Sequence, residues 1–454
     1  MTAEEGSVPS GGVVRQACTI VLPSSGAFDS RAWRIARTLA GRGHDVTIVA
    51  RSEDGLPDHE AHPDGYRIVR VPVSAVAGLP GPLRAVVGPV RGGAPSGRAA
   101  ALADRPDPDG APGKASGRGP IGRFRAAVAG VRRLLAIGLT VRSQTMAARR
   151  AAPRADLVHA MAYMGIPIGL ALGRRDRAAV VYDARDIYVD ARNIARLPAF
   201  ARRLFAAIER RWARQADRVM TVNRAYADVM AERFRVRLPA IVMNCSYRRE
   251  PGEPGRLFHE SLGLARDGRV VLYHGGLSPD RGIEQLVGAL AFLPASVHAV
   301  FLGYGPLQGL LEESAGDAGL AGRLHVLRAV PPTELLDWVG SADVVAMPIQ
   351  GTTLNHRLTT PNKLFEAMAV GVPVVASDLP GMAAIVEGTG CGVLCDPADP
   401  TDIARAIRAL LDATPEERAG RRSRTLAAAQ GTYSWEAQAE VLLEEYRRLT
   451  GRPW

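Results

Sequence analysis

The stretch "ACTIVLPSSGAFDSRAWRIARTLAGRGHDVTIVA", residues 17–50, places a strand, a helix and a second strand close together. Residues 17–23 and 45–50 are apolar runs of strand length, and between them the apolar residues of 30–41 recur at helical spacing. Ser30 is a suitable N-cap for this helix. A short strand–helix–strand unit joins parallel strands, so the stretch predicts an α/β domain built on a parallel sheet.

The same alternation continues through the first half of the chain. Apolar runs of strand length recur there, together with a segment of helical spacing. Strands are predicted at 156–161, 179–184 and 218–223 and a helix at 198–217, and the apolar run 239–245 closes this half.

A second alternation begins at "RVVLYHGG", residues 269–276. Further strands are predicted at 298–305, 324–327, 343–348, 373–377 and 392–396, and helices at 280–293, 306–318, 332–340, 360–369, 400–413 and 434–449. The chain is therefore predicted to be α/β, with two doubly wound, Rossmann-like domains that face a cleft. In such sheets ligands bind beyond the carboxyl ends of the strands.

A chain of 454 residues is too long for one core, and its composition indicates where the domains divide. Residues 1–245 form the predicted N-terminal domain, in which the Pro-, Gly-, Ala- and Arg-rich segment 78–120 is expected to be a disordered insertion. Residues 246–264 are the predicted linker, and 265–433 the C-terminal domain. A last helix, within 434–454, can pack back on the N-terminal domain.

The bulk composition is that of an ordinary globular protein, with 47% hydrophobic and 23% charged residues. No uninterrupted apolar run approaches the roughly 18 residues of a membrane span. The opening "MTAEEGSVPSGG" is acidic and polar, unlike a secretory signal, and the four cysteines are scattered, so we expect a cytoplasmic protein. Cys391 and Cys395 are interpreted as buried thiols, and no metal site is expected.

The formal net charge is +11, which favours anionic partners such as phosphorylated molecules, an anionic membrane or nucleic acid. Arginine is dense at 118–154 and at 201–218, and the second stretch carries an apolar stripe at helical spacing. Such a helix can lie on an anionic membrane at the inner membrane face, although packing on a core is the commoner arrangement. No aromatic-studded basic surface is visible, so nucleic acid is not an expected partner.

The segment "PNKLFEAMAVGVPVVAS", residues 361–377, places polar side chains on the first turn of a predicted helix. Thr360 can cap the helix and Pro361 can be its first residue. A helix start carries partial positive charge and free N–H groups, which suits a phosphate, and Lys363 adds a full charge.

The same helix separates an apolar face, which includes Leu364 and Met368, from a polar face with Asn362 and Glu366. Glu366 can accept two hydroxyl hydrogen bonds, as vicinal ribose hydroxyls would offer. Phosphate and diol together outline a nucleotide. The alternative is a capped helix with a surface Lys–Glu pair worth about 0.2–0.5 kcal/mol.

Two further motifs place glycines directly after strands. In "YHGGLSPDRGIEQL", Gly275 and Gly276 let backbone N–H groups approach an oxyanion, and Arg281 can clamp a diphosphate. In "LGYGP", Gly303 and Gly305 repeat this arrangement. Each motif also fits a tight strand–helix turn, but three such features at successive strand ends of one domain favour one phosphate-binding cleft.

These motifs give the C-terminal half a resemblance to the retaining glycosyltransferases of family 4, which have the GT-B architecture. The carriers are "HGGLSPDRGIEQL", "FLGYGPL", "ADVVAMP", "TTPNKLFEAMAVGVPVVASDLPG" and "GCGVLCDPADP". The N-terminal half matches more loosely through the opening stretch, "ADLVHAM" and "VVYDARDIY". The resemblance implies transfer of a sugar from a nucleotide diphosphate donor with retention at the anomeric carbon.

The resemblance also implies roles for single residues on the donor side. Arg281 stands where the family usually has a diphosphate-binding lysine, and Glu366 matches the ribose-binding glutamate that ends the family motif. Two positions depart from the family: Leu358 replaces the first glutamate of that motif, and Gly276 replaces a second diphosphate-binding arginine. Lys363 is the expected replacement for the lost cation. The predicted catalytic residues are Arg281, Lys363 and Glu366, and the predicted donor-binding residues are Gly275, Gly276, Gly303, Gly305, Thr360, Asn362 and Leu364.

In the N-terminal, acceptor-side domain the signals are weaker. His159 follows a strand, and Met161 stands where family members often have a second histidine. The segment "YDARD" resembles a cleft-edge segment whose side chains can meet acceptor hydroxyls or form a local ion-pair cluster. The predicted acceptor-side residues are Asp29, Arg31, His159, Asp183, Arg185 and Asp186.

The predicted function is that of a retaining hexosyltransferase with a UDP-sugar or GDP-sugar as donor and no cofactor. The acceptor can be a glycan, a lipid-linked molecule or a small molecule. One alternative is a sugar-nucleotide epimerase of similar architecture, which would consume the donor without any acceptor. A second is an inactive sugar-nucleotide-binding partner protein.

Overall fold

The structure is a computed structural model that describes residues 15–27, 29–74, 120–250, 252–253 and 255–454. The predicted insertion at 78–120 therefore lies outside the described residues, except for Pro120, which begins a helix.

The N-terminal half folds around an eight-stranded sheet of order β3-β4-β2-β1-β5-β6-β7-β8. All neighbouring strands are parallel except the edge strand β3, which runs antiparallel to β4. Its strands are β1 (Ala17–Val21), β2 (Asp45–Arg51), β3 (His59–Ala61), β4 (Arg67–Val71), β5 (Leu157–Met161), β6 (Ala179–Asp183), β7 (Arg218–Thr221) and β8 (Ala240–Ile241).

The C-terminal half folds around a six-stranded, fully parallel sheet of order β11-β10-β9-β12-β13-β14. Its strands are β9 (Arg269–Gly276), β10 (Val297–Tyr304), β11 (Leu324–Leu327), β12 (Val344–Met347), β13 (Val374–Ser377) and β14 (Gly392–Cys395). The order reverses between β9 and β12, as in doubly wound nucleotide-binding sheets. The two doubly wound, Rossmann-like domains that were predicted from the sequence are confirmed.

Helices cover both faces of the two sheets. In the described part of the first half they are α1 (Ser30–Gly41), α2 (Pro120–Ala151), α3 (Ala162–Asp176), α4 (Arg192–Ala195), α5 (Ala199–Ala213) and α6 (Arg224–Phe234). In the second half they are α7 (Leu257–Leu262), α8 (Ile283–Ala289), α9 (Gln308–Ser314), α10 (Leu335–Val339), α11 (Leu354–Arg357), α12 (Asn362–Ala369), α13 (Pro380–Thr389), α14 (Pro400–Leu411), α15 (Pro415–Gln430) and α16 (Trp435–Thr450).

Two predicted helix caps are wrong. The α1 helix has the predicted bounds, but Asp29 caps it, with its carboxylate accepting from the Ala32 N–H at 3.1 Å. Pro361 rather than Thr360 is the N-cap of α12, and no side chain caps that helix. The hydroxyl of Thr360 instead accepts a hydrogen bond from Asn223 at 3.3 Å, which draws it away from the helix start.

Two apolar clusters fill each half, one on either face of its sheet. The last helix, α16, crosses to the N-terminal half, where Trp435 and Leu442 join the cluster that contains Ile20 and Ile35. The indole N–H of Trp435 donates to the Thr38 hydroxyl at 2.9 Å. The helix thus packs on the first βαβ unit of the N-terminal half. All four cysteines are buried.

Candidate active site

A cleft of about 560 Å³ lies between the two halves of the protein. Its lining comes from segments that follow strand ends: Arg31 after β1, Arg185 after β6, Gly276 at the end of β9, and Tyr304 at the end of β10. Parallel strands place all their carboxyl ends at one edge of a sheet, so each sheet presents one such edge to the cleft.

Glycines keep the backbone open where β9 and β10 reach the cleft. A Cβ at Gly275, where φ is +102°, or at Gly276 would meet nothing within 4 Å, so both glycines border open space. A Cβ at Gly303 would lie 1.9 Å from the Gly275 carbonyl oxygen, so glycine is required for the close approach of the two strands. The predicted Gly305 does not line the cleft; its Cβ would lie 2.2 Å from the Leu277 carbonyl, and it serves the turn.

Lys363 and Arg281 bring two cations to the donor half of the cleft. The Lys363 Nζ lies 3.6 Å from the centroid of the Tyr273 ring, a cation–π contact. Burial, and to a smaller extent nearby Arg281, lower the pKa of Lys363 to about 7, against the opposing effect of Glu366. Close to neutral pH the ammonium therefore loses its proton easily, and an anion bound between the two cations would restore the charge.

Glu366 lines the cleft one turn further along α12, beside His274. Burial raises the pKa of Glu366, while Arg34 and Lys363 act in the opposite direction. Burial and Lys363 lower the pKa of His274 to about 3, so the imidazole is neutral. The 3.6 Å separation of His274 Nδ1 and Glu366 Oε2 is consequently not an ion pair, and the carboxylate keeps its capacity to accept hydroxyl hydrogen bonds.

The other predicted donor contacts on α12 and just before it divide between the cleft and the core. Thr360 and Asn362 line the cleft, and the Asn362 side-chain oxygen accepts from Asn244 of the N-terminal half at 3.0 Å. Leu364 does not line the cleft, because its side chain is fully buried in the core. Its N–H donates to the Pro361 carbonyl at 3.0 Å. The apolar face of α12 packs the helix against its sheet.

On the acceptor side, Arg185 and Asp186 line the cleft. One Arg185 nitrogen, Nη1, donates to both Asp29 oxygens at 2.8 Å, and Asp29 raises the pKa of Arg185 despite its burial. Asp186 accepts from Asn355 at 3.1 Å. Asp29 itself does not line the cleft, so its predicted role becomes that of a partner that holds Arg185 in place.

His159 and Asp183 do not reach the cleft, contrary to the prediction, because both side chains are completely buried. Asp183 accepts from Arg31 Nε at 2.6 Å and Nη2 at 3.1 Å and lies 3.1 Å from His159 Nε2. Arg31 and His159 hold the pKa of Asp183 well below its usual range, against the effect of burial. His159 Nδ1 lies 2.7 Å from the Tyr446 hydroxyl on α16. We call these four residues the buried relay; of the four, Arg31 lines the cleft.

The position that departs from the family motif faces the other domain. Leu358 packs against the N-terminal core and is outside the cleft lining, and its carbonyl accepts from Asn223 at 2.7 Å. Nearby Asn355 is also occupied, since its side-chain oxygen accepts from the Ile187 N–H at 2.7 Å and the Tyr226 hydroxyl at 2.8 Å. The segment around α11 therefore joins the domains and supplies no replacement carboxylate.

Sequence reasoning missed several lining residues. Tyr273, His274 and Tyr304 belong to the glycine motifs and could have been included because they adjoin the strand ends. The apolar lining after β11 had no motif to mark it. The missed residues include Tyr273, His274, Ser278, Tyr304, Asn244, Ala329, Val330 and Leu335.

Two family models match the chain. The model described as glycosyl transferases group 1 matches residues 268–413, and the glycosyl transferase 4-like domain matches residues 26–245. Among curated proteins, the D-inositol 3-phosphate glycosyltransferase of Xylanimonas cellulosilytica is 34% identical over 200 residues, which are 42% of this chain and 45% of that protein. Its counterpart from Corynebacterium urealyticum is 33% identical over 203 residues, 42% and 46% of the two chains. These alignments span less than half of each relative.

Solved structures match over nearly the whole chain. Sucrose-phosphate synthase from Thermosynechococcus elongatus has a TM-score of 0.69 and 18% identity, covering 96% of this chain and all of that one. Anabaena HepE in complex with UDP-glucose has a TM-score of 0.62 and 17% identity, with the same coverage. At sequence identities this low, the similarity to these structures shows the fold alone. The matches do not favour the epimerase or the inactive partner protein.

The buried relay generates a stability prediction. Tyr446→Phe removes the hydroxyl and leaves the buried Nδ1 of His159 unsatisfied, so we expect the free energy of unfolding to fall by about 1–3 kcal/mol. Tyr66→Phe is the matched control, because the buried Tyr66 hydroxyl has no partner among the described residues and its loss should cost little. Urea unfolding monitored by circular dichroism measures both; equal midpoints for the two variants would contradict the relay.

Proposed function

The chain belongs to glycosyltransferase family 4, with the GT-B architecture, and on that premise we propose that it is a retaining hexosyltransferase that uses a nucleotide diphosphate sugar. The single observation that carries the proposal is the donor half of the cleft. There, two cations, two glycines that border open space and one carboxylate line a cleft of about 560 Å³, a volume typical of small-molecule sites.

The diphosphate would lie against Arg281, Lys363 and the amides of Gly275 and Gly276. Arginine donates bidentately to phosphate oxygens and stays charged at every relevant pH. Lys363 needs an anion to regain its full charge, so it contributes most when the diphosphate is present. Departure of the sugar leaves additional negative charge on the diphosphate, which these fixed groups stabilise.

The nucleoside would occupy the remainder of the donor half. Glu366 can accept hydrogen bonds from both ribose hydroxyls. The base would pack against the apolar lining near Val330 and Leu335, with the ring of Tyr304 at the edge. Solved structures of one neighbour, Anabaena HepE, contain UDP or UDP-glucose, which makes UDP the first probe, with GDP in parallel.

We propose a front-face transfer that needs no cofactor and no protein nucleophile. The bond between the anomeric carbon and the diphosphate oxygen breaks, and the acceptor hydroxyl oxygen bonds to that carbon from the same face. The hydroxyl proton passes to the departing diphosphate, so atoms and charge balance. The cleft residues hold the two reactants together and exclude water.

The acceptor would approach from the N-terminal half, next to Arg185 and Asp186. Arg185 uses Nη1 to donate to Asp29. Its other guanidinium nitrogens could donate to an anionic group on the acceptor. Relatives are named for a phosphorylated inositol, and such a group would suit Arg185. A glycan, a lipid-linked molecule and a small molecule all remain acceptor classes that this cleft edge can serve.

Donor-site variants test the nucleotide assignment. We expect Arg281→Ala and Glu366→Ala each to weaken UDP binding by about tenfold to a hundredfold, because each removes hydrogen bonds that involve a charged group. Isothermal titration calorimetry measures the affinities, and Arg418→Ala on the exposed surface of α15 is the control.

The ribose contact has its own readout in the same experiment. Wild type should bind 2′-deoxy-UDP more weakly than UDP, whereas Glu366→Ala should bind the two equally. Wild-type affinity for UDP in both variants would show that the nucleotide lies elsewhere.

The lowered pKa of Lys363 predicts how UDP binding depends on pH. Its pKa is about 7 in the unliganded protein and should rise when a diphosphate binds, so binding takes up a proton. Above about pH 7.5 the dissociation constant for UDP should therefore increase, by at most about tenfold per pH unit. Lys363→Arg should flatten this dependence, because arginine stays protonated. A flat wild-type profile, or equal slopes in both proteins, would rule out this role for Lys363.

Retention is tested by the configuration of the first product. The sugar of UDP-glucose is in the α configuration, so transfer to water or a simple alcohol should first release the α anomer. Proton NMR in the early minutes distinguishes the anomers before mutarotation. If the β anomer appears first, transfer inverts the configuration, and the donor-site assignment would still stand on the binding experiments.

A further inference from the structure

Two packed helices of the N-terminal half expose an apolar surface. Val128, Val131 and Leu135 on α2 and Phe200 and Leu204 on α5 are each 42% to 52% exposed. We call these five residues the two-helix patch, and we propose that it docks the protein on an anionic lipid bilayer.

The two helices form one continuous surface. A Cβ at Gly130 of α2 would lie 3.0 Å from the ring of Pro198 and 3.7 Å from the Cβ of Ala201 on α5, so the helices touch at this point. Val131 is adjacent to Gly130, and Phe200 and Leu204 flank Ala201 along α5. The apolar side chains on either side of the contact therefore belong to a single patch.

Burial of the opposite helix face explains why these residues remain exposed. On α5, Ala201, Phe205, Glu209 and Ala213 turn toward the core. Phe200 and Leu204 lie four residues apart on the outer side, beyond the reach of that core. Half-exposed large apolar residues grouped in this way mark a binding surface, whereas single exposed ones need no explanation.

The charge around the patch specifies the partner. The sequence of α2 contains no acidic residue, and the single acid of α5, Glu209, is buried. Exposed arginines adjoin the apolar residues, among them Arg132, Arg133 and Arg203. An apolar stripe bordered by arginines on a helix surface suits the interface of a bilayer with anionic headgroups. None of the described helices is long and apolar enough to cross a bilayer, so the contact is peripheral.

Other occupants fit these observations less well. Residues 75–119, which precede α2, contain six basic and three acidic residues. Because this segment carries a net positive charge, the arginines that border the patch would repel it. A nucleic acid would satisfy the arginines but not the valines and leucines.

The position of the patch connects docking to the active site. The α5 helix begins thirteen residues after Asp186, which lines the cleft, and only the short helix α4 and a 3-10 turn lie between them, so docking would place this side of the cleft toward the membrane. If the proposed function holds, an acceptor anchored in the membrane would reach the cleft. Docking itself does not depend on the identity of the donor.

Vesicle flotation with the full chain tests the docking. One set of vesicles is phosphatidylcholine, and the other contains three parts phosphatidylcholine to one part phosphatidylglycerol. We expect wild type to float with the anionic vesicles only. Leu135→Ser/Leu204→Ser should lower the partition coefficient by about tenfold or more, and Arg133→Gln/Arg203→Gln by about fivefold for each arginine.

The controls use residues of the same type away from the patch. Met146→Ser changes an exposed apolar residue further along α2, 47% exposed, and Arg418→Gln changes an exposed arginine on α15; both should bind like wild type. Circular dichroism confirms that every variant is folded.

Four results would overturn the proposal. The first is that wild type is not recovered with anionic vesicles, and the second is that it binds both vesicle types equally. A third is loss of binding in the arginine variant alone, which would indicate a general polyanion site. A fourth is a lipid-free dimer that the leucine substitutions convert to a monomer in light scattering, which would assign the patch to a second copy of the chain.

Discussion

The cleft depends on one constraint, which is that a parallel sheet places the carboxyl ends of all its strands at the same edge. Both sheets are parallel except for the edge strand β3, and the segments that line the cleft follow strand ends of both. Two segments of the C-terminal part of the chain contact the N-terminal half: the α11 segment, through Asn355, and the returning helix α16, through Trp435. The strand topology and these contacts between the halves thus place the lining side chains around one cleft.

Much of this architecture could be predicted from the sequence because local signals agreed with tertiary structure. The α1 helix and the β9 strand have the predicted bounds, since their apolar periodicity reports burial on one face or on both. The long helix α2 was missed because one side packs on α3 while another remains exposed and apolar, which blurs its periodicity. The short helix α11 was missed because contacts with the other domain hold it, and no local pattern records them.

The sequence predicted which segments lie near the cleft better than it predicted which side chains line it. A motif after a strand shows that a residue lies near the cleft, but it does not show where the side chain turns. Arg281, Lys363 and Glu366 turn into the cleft, whereas His159 and Asp183 turn beneath it toward Arg31 and Tyr446. Periodicity places Leu364 on the buried face of α12, so its position could have been read from the helix itself.

The two halves of the cleft differ in how their charges are satisfied. On the acceptor side Arg31 is paired with Asp183 and Arg185 with Asp29, so these cations are fixed before a ligand arrives and mainly orient what binds. On the donor side Arg281 and Lys363 lie close enough for Arg281 to lower the pKa of Lys363, with Glu366 the acidic group that opposes this effect. A pair of neighbouring cations is costly without an anion and favourable with one, because the charged form of Lys363 gains from the ligand what burial removes. We therefore expect the donor half to respond strongly to a doubly charged ligand, and the acceptor half to select its ligand by geometry.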